Sequence, residues 1–160
     1  MLNKIAVIGV GNIGAVLVEE LARRRLARNV AAVDVKEPEV AKGKCLDVAE
    51  GLPIIGTTVN VEGSREFSVM AGADIVINTA GVPRTVRPDG TIPTREELLT
   101  TNLKITKAVA SAIMEHAPNA IVINVANPLD AIVYGLDKAM NPPKNRLMGM
   151  AGQLDSSRYR

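Results

Sequence analysis

At 160 residues, with 47% hydrophobic and 22% charged side chains, the sequence has the length of one domain and enough apolar content to bury a core. The net charge is +2, no basic run exceeds Arg23-Arg24-Arg25, and only Phe67, Tyr134 and Tyr159 are aromatic, which argues against nucleic-acid binding for want of cationic surface and stacking rings. One cysteine, Cys45, excludes an internal disulfide and a cysteine-based metal cluster.

The amino terminus, Met1-Leu2-Asn3-Lys4 and the apolar residues after it, is too short and lacks the basic flank of a secretory signal, and no run approaches membrane-spanning length. The expectation is a cytoplasmic protein with neither membrane nor nucleic acid as partner. Short apolar runs at residues 5–8, 30–33, 59–61, 75–77, 121–125 and 147–150 read as strands. Their apolarity is continuous rather than alternating, as in strands covered on both faces. Helical segments are predicted between them at 13–25, 39–50, 94–116 and 130–140. Strand–helix alternation with right-handed crossovers implies an α/β fold with a doubly wound, mostly parallel six-stranded sheet in the order 3-2-1-4-5-6. Thr94-Arg95-Glu96-Glu97 reads as a capping box, and residues 84–93, with Pro88, Gly90 and Pro93 and with Pro83 just before them, read as a loop.

Gly9-Val10-Gly11-Asn12-Ile13-Gly14 is a G-x-G-x-x-G placed after a predicted strand and opening a predicted helix. In that context Gly9 permits the tight turn, Gly11 admits a pyrophosphate to the backbone, and Gly14 lets helix and strand approach. Free amides and the helix dipole then favour phosphate. Asp34 ends the second strand, twenty positions after Gly14, where a carboxylate accepts both adenosine ribose hydroxyls and repels a 2′-phosphate. NAD rather than NADP is therefore the expected cofactor, although Lys36 places an opposing charge nearby. Thr79-Ala80-Gly81 and Asn124-Val125-Ala126-Asn127 end later strands, and their small residues leave room for ribose and nicotinamide.

Further motifs follow in order: Gly43-Lys44-Cys45-Leu46-Asp47; Thr79-Ala80-Gly81-Val82-Pro83-Arg84; Thr94-Arg95-Glu96-Glu97-Leu98-Leu99 with Asn102; Val125-Ala126-Asn127-Pro128; and Leu154-Asp155-Ser156-Ser157-Arg158-Tyr159-Arg160. With the glycine motif and Asp34 they cover essentially the whole chain, which resembles the malate and lactate dehydrogenase family, the malate side more closely. The resemblance implies a Rossmann-type NAD-binding half. It implies that Arg84 pairs with the distal carboxylate of malate or oxaloacetate, that Arg95 polarises the reacting carbonyl, and that Arg158 clamps the carboxylate beside the reacting carbon. Asn102, Val125 and Asn127 are implied as cofactor contacts, Asn127 touching substrate as well, and Asp155 as the acid that orients a catalytic histidine. Guanidinium groups suit these roles because they meet carboxylates with two parallel hydrogen bonds.

Two departures from the family pattern stand out. Arg84 and Arg95 lie eleven positions apart, wider than the family spacing, with Arg87 among the added residues. The chain also stops at Arg160, inside a predicted helix, ahead of the part that carries the family's histidine. His116, the one histidine present, closes a long predicted helix at the other end of the sheet, where a solvent-facing or capping role is expected. Tyr134 and Lys138 form a Y-x-x-x-K pattern without the upstream serine that short-chain dehydrogenases need; the expectation is Tyr134 packed on the sheet and Lys138 in water. Arg23, Arg24, Arg25 and Arg28 are expected to form a solvated helix end, and Asp47, Glu50, Glu19 and Glu20 no metal site. The leading reading is an NAD-binding half that binds cofactor without efficient turnover and self-associates through surface that the other half would cover. The alternatives are a dehydrogenase completed by a separately supplied half, and a non-catalytic NAD-sensing module; Asp155 and Arg158 speak against the last.

Overall fold

Strands that are apolar on both faces need cover on both sides, and the six runs find it in one sheet flanked by helices. The computed structural model describes residues 1–36, 38–86 and 90–159. Its strands are β1 (Leu2–Ile8), β2 (Ala27–Val33), β3 (Asn60–Ser64), β4 (Ile75–Asn78), β5 (Ile121–Asn124) and β6 (Leu147–Gly149). They lie in the order 3-2-1-4-5-6. Every pairing is parallel, so the sheet is wholly rather than mostly parallel among the described residues. The helices are α1 (Asn12–Arg23), α2 (Pro38–Gly51), α3 (Arg95–His116), α4 (Leu129–Met140) and α5 (Gly152–Tyr159), with short 3-10 turns at Leu52–Ile55 and Phe67–Met70.

Side chains that alternate along β1 divide the core in two. Ile5 and Val7 join Val18 and Leu21 of α1 with Ala41 and Cys45 of α2. Ala6 and Ile8 join Val109 and Ile113 of α3 with Ile132 and Leu136 of α4. No aromatic residue is fully buried, so each layer is aliphatic and stiff through its β-branched residues.

The expected boundaries shift for identifiable reasons. β1 and β2 each begin three residues before their apolar runs, because Leu2 pairs with Ala27 and Lys4 with Asn29 by backbone register, which polar residues satisfy as well as apolar ones. Asp74 secures that edge, its Oδ2 accepting from the amides of Asn3 (2.7 Å) and Lys4 (3.0 Å). Apolarity marks only the covered part of a strand. α1 ends at Arg23 rather than at residue 25, since Arg25 takes a left-handed φ of 55° and donates its guanidinium to the Gly56 carbonyl at 2.6 Å. Arg23 and Arg24 pair with Glu19 and Glu20 one turn earlier, whereas Arg28 belongs to β2. Thr94 does form the capping box, accepting from Glu97 N (3.2 Å) while its own amide donates to Glu97 Oε2 (2.9 Å).

Tyr134 contradicts its expectation. It is 65% exposed, because Ile132 and Leu136 already take the inward positions of α4, and Lys138 Nζ stands 5.3 Å from its ring centre. Among the described residues, no helix is long and apolar enough to cross a membrane.

Burial, and secondarily the Glu62 carboxylate, push the Cys45 thiol from its ordinary 9.0 up to about 11. At pH 8 the folded chain is expected to leave a thiol-reactive chromogen untouched and to release one equivalent in denaturant. Because the folded value is the higher one, the unfolded chain ionises first; this contribution to stability is intact below pH 9 and declines as pH rises towards 11. Fast labelling of the native chain would contradict this burial. A second test addresses the β1–α1 junction: a Cβ on Gly14 would drive into the Gly9 carbonyl oxygen, with Thr79 Oγ1 only 3.0 Å away. Gly14→Ala should destabilise by about 1–3 kcal/mol, measured by denaturant titration.

Candidate functional site

The carboxyl ends of β1, β4 and β5 open into a groove of about 350 Å³, walled by the glycine turn on one side and by residues 79–83 and 125–127 on the other. A larger hollow of about 480 Å³ lies at the opposite end of the sheet, beside Ile121 at the start of β5 and His116 at the end of α3. In a parallel sheet it is the carboxyl end that gathers helix amino-termini and loop backbone, so the smaller groove is the candidate site.

Gly9 turns the chain from β1 towards α1 with a φ of 88°, a conformation that strains any residue with a Cβ. A side chain there would also meet the Ala80 backbone at 2.8 Å. The turn is tied on both sides, the Gly9 amide donating to Val33 O (2.8 Å) and the Thr79 hydroxyl to Gly9 O (2.7 Å). α1 then follows Gly11 as its N-cap, with no side-chain cap and no acidic residue in its first turn, so its amides and positive dipole end are uncompensated by the chain itself. A Cβ on Gly11 would meet nothing within 4 Å, so the glycine keeps open space rather than satisfying a packing need.

Asp34 follows β2, with Oδ2 accepting from the Val10 amide (2.8 Å) and Oδ1 from the Lys36 amide (3.0 Å). Each oxygen keeps a lone pair for a further donor. The carboxylate is thereby oriented beside the glycine turn before any ligand arrives.

Polar side chains brace the far wall. Asn78 and Asn124 end β4 and β5 in register, with Asn78 Nδ2 donating to Asn124 Oδ1 (2.8 Å). Asn124 Nδ2 reaches Ala126 O (2.9 Å), and Asn78 Oδ1 accepts from the Ala80 amide (3.2 Å). Asn102 on α3 is 2% exposed; its Oδ1 accepts from Val82 N (2.8 Å) and its Nδ2 donates to Val82 O (3.3 Å) and Asn127 O (3.0 Å). Asn102 therefore stands as a strut that joins the two loops, its amide hydrogens already engaged.

Of the residues singled out in the sequence, Gly11, Asn12, Ile13, Gly14, Thr79, Gly81, Val125 and Asn127 meet at the groove. Gly9, Asp34, Ala80 and Asn102 support it from behind or beside. Arg84, Arg95, Asp155 and Arg158 stand apart from its lining. Arg84 Nε donates to Pro93 O (3.2 Å), tying together the base of the long loop, and Arg95 is exposed at the first position of α3. Asp155 and Arg158 lie 3.8 Å apart on α5, both side chains 71% exposed, on a helix with no buried residue. Arg87 and Arg160 fall outside the described residues. His116 sits in the opposite hollow, with Nε2 3.8 Å from Glu115.

Sequence reasoning missed Asn78, the bracing role of Asn124, and Lys44, whose Nζ donates to Val10 O at 2.8 Å. A signal existed for the asparagines. Residues 75–78 and 121–124 both read Ile-Val-Ile-Asn, two apolar strands ending on the same amide.

These features fit a dinucleotide: open space at Gly11, an uncapped helix start, and a pre-oriented carboxylate about where a ribose would follow the phosphates. Comparison with known proteins agrees. The family model described as lactate/malate dehydrogenase, NAD binding domain, matches residues 3–149. Malate dehydrogenase of Hyphomonas neptunium is 47% identical over 157 residues, 98% of this chain and 47% of that protein. That of Caulobacter vibrioides is 45% identical over 156 residues, again 98% and 47%. The chain thus spans about half the length of the curated relatives it matches. Among solved structures, malate dehydrogenase from Plasmodium falciparum in complex with NADH superposes with a TM-score of 0.85 at 36% identity, covering 98% of this chain and 46% of that one. Lactate dehydrogenase from Cryptosporidium parvum, complexed with lactic acid and nicotinamide adenine dinucleotide, gives 0.88 at 37% identity, covering 99% and 48%. A fold, a groove and a match that runs nearly end to end agree, and the chain belongs to the lactate/malate dehydrogenase family as an NAD-binding domain.

Proposed function

We propose that the chain holds NAD(H) for a dehydrogenase that interconverts malate and oxaloacetate, and that the chain by itself binds cofactor without efficient turnover. The observation that carries the reading is the groove itself, with an uncapped helix start at Gly11 beside an oriented Asp34 carboxylate. Bound NAD supplies the hydride acceptor, and NADH the hydride donor. The amides at Gly11, Asn12 and Ile13 hold the pyrophosphate, Asp34 accepts from the adenosine ribose, and residues 79–81 with Val125 and Asn127 flank the nicotinamide end. Curated relatives named malate dehydrogenase favour a dicarboxylic substrate. Arg84 is assigned to its distal carboxylate, Arg95 to the reacting carbonyl and Arg158 to the nearer carboxylate, each by paired guanidinium hydrogen bonds. Asp155 is assigned to a catalytic histidine as its orienting acid, in the manner of a triad aspartate.

Among the described residues the groove lining holds no titratable side chain, and His116 stands at the other end of the sheet. The proton that accompanies hydride transfer therefore needs a donor other than the groove's own residues. Loss of a positioned acid–base group typically lowers the rate by about 10²–10⁴-fold. A cytoplasmic location belongs to the same reading, supported by a single buried thiol that is never called on to pair.

Calorimetric titration should give saturable NADH binding, weaker binding of NADPH, and no oxaloacetate-dependent loss of nicotinamide absorbance by the pure chain. Asp34→Ala should weaken NADH binding by about ten- to a hundredfold, the value of one or two hydrogen bonds to an ionised group. An unchanged affinity, or a wild-type titration that is flat, would remove the reading; turnover by the pure chain would remove its catalytic part.

Self-association is part of the proposal. β6 pairs on one side only, and Met148, Met150, Leu154 and Tyr159 are exposed on or just after it. Light scattering across a concentration series should show the average mass rising with concentration, and a constant monomer mass would count against it.

A further inference from the structure

We infer that Lys44 is a positioning residue for the dinucleotide turn, holding the Val10 carbonyl so that the Gly11 amide is presented to a phosphate. The inference rests on the reading of the groove as an NAD site, and it concerns a residue outside the groove's lining.

Val10 stands between two glycines, Gly9 and Gly11, at the most freely rotating point of the turn. Both of its peptide groups are nevertheless fixed by charged side chains from other elements. The Val10 N–H donates to Asp34 Oδ2 at 2.8 Å, and the Val10 carbonyl accepts from Lys44 Nζ at 2.8 Å. One partner follows β2 and the other rises from α2, so the turn is gripped from two directions. Lys44 is half-buried, and Val10 is 1% exposed. A charge-assisted bond in such surroundings is stronger than one between neutral groups in water.

The geometry of the peptide unit links this bond to the groove. The Val10 carbonyl and the Gly11 N–H belong to one planar trans peptide and point in opposite directions. Drawing the carbonyl towards Lys44 sets the direction of the Gly11 N–H. That amide has no acceptor among the described residues, and Gly11 lines the groove. Without the lysine, the glycines on either side of Val10 leave the peptide free to flip, and the entropy of ordering it then falls on the binding step. Other cations nearby do not take this part: Lys42 stands 3.8 Å from Glu39, and Lys36 contributes only its backbone amide to Asp34.

The test compares wild type with Lys44→Met, Lys44→Ala and Lys44→Arg in NADH titrations at low and high salt, with melting of the unliganded chains in parallel. Methionine keeps most of the stem and alanine removes it, so one folded member of that pair suffices. NADH affinity should fall by about tenfold on removal of the ammonium, as for one charged hydrogen bond. Arginine, which keeps a donor, should stay within about threefold of wild type. The deficit should persist at high salt, because a local half-buried bond is screened little. The unliganded melting temperature should stay within roughly 3 °C of wild type, as for a change away from the core. Equal NADH affinity in wild type and Lys44→Met overturns the role of Lys44 while leaving the cofactor reading intact. A deficit that vanishes with salt assigns Lys44 to charge attraction and overturns positioning. A deficit that tracks lost folded protein in both truncations, with Lys44→Arg no better, also overturns it. A wild-type chain without saturable NADH binding overturns the cofactor reading and this inference together.

Discussion

A hydrogen atom at position 14 is all that separates α1 from the carbonyl of Gly9, and the groove depends on that contact. Because the helix begins directly against the end of β1, its first amides arrive at the carboxyl edge of the sheet rather than in solvent. The Thr79 hydroxyl, bonded to the same carbonyl at 2.7 Å, brings the end of β4 to the turn. A residue with a Cβ at either glycine would push helix and strand apart. Packing and binding are thus one constraint at this place: close backbone approach makes the core dense and brings the uncapped amides to where a ligand can use them.

Close approach leaves polar groups in need of partners, and buried polar groups without them are costly. The chain answers with a set of short braces. Asn78 and Asn124 bond across β4 and β5 and each then reaches backbone just beyond its strand. Asn102 crosses from α3 to join two loops, and the Thr106 hydroxyl caps the Asn102 carbonyl at 2.8 Å. On the other wall, Asp34 and Lys44 hold the two sides of Val10. The groove is consequently made largely of fixed backbone, and a ligand meets donors whose directions are set in advance, which lowers the ordering penalty on binding.

Much of this was legible in the sequence, and what was missed has a common cause. The strand order, four helices and the glycine turn follow from apolar runs, periodicity and spacing, which are local patterns. Strand beginnings were misplaced because residues such as Leu2 and Lys4 join the sheet by backbone pairing at the less covered amino end of β1, which composition does not record. Tyr134 was misplaced because one aromatic residue among aliphatic neighbours looks like core, while the turn geometry of α4 sends Ile132 and Leu136 inward instead. Lys44 lies 34 positions from Val10, and no local rule ties a lysine on one helix to a carbonyl in a distant turn. Asn78 and Asn124 were nearer to reach, since a repeated tetrapeptide that ends on an amide marks two strands with the same need at the same end.

The charged residues differ from the groove in how they are held, and that difference bears on how the parts work together. The groove walls are braced by a network of bonds from Asn78, Asn102, Asn124, Asp34 and Lys44. Among the described residues, Asp155 and Arg158 have only one another, at 3.8 Å, on a helix that buries no side chain. Exposed pairs of this kind contribute on the order of 0–1 kcal/mol, so little opposes their separation when better partners are offered. Arg84 is held somewhat more firmly, through one bond to the Pro93 carbonyl at the base of its loop. A guanidinium fixed inside the groove would draw the phosphates towards it and compete with the helix amides for them. With the arginines on weakly held segments outside its lining, the groove presents backbone rather than guanidinium groups to a ligand. Any surface that packs against α5 gains control over when Asp155 and Arg158 part.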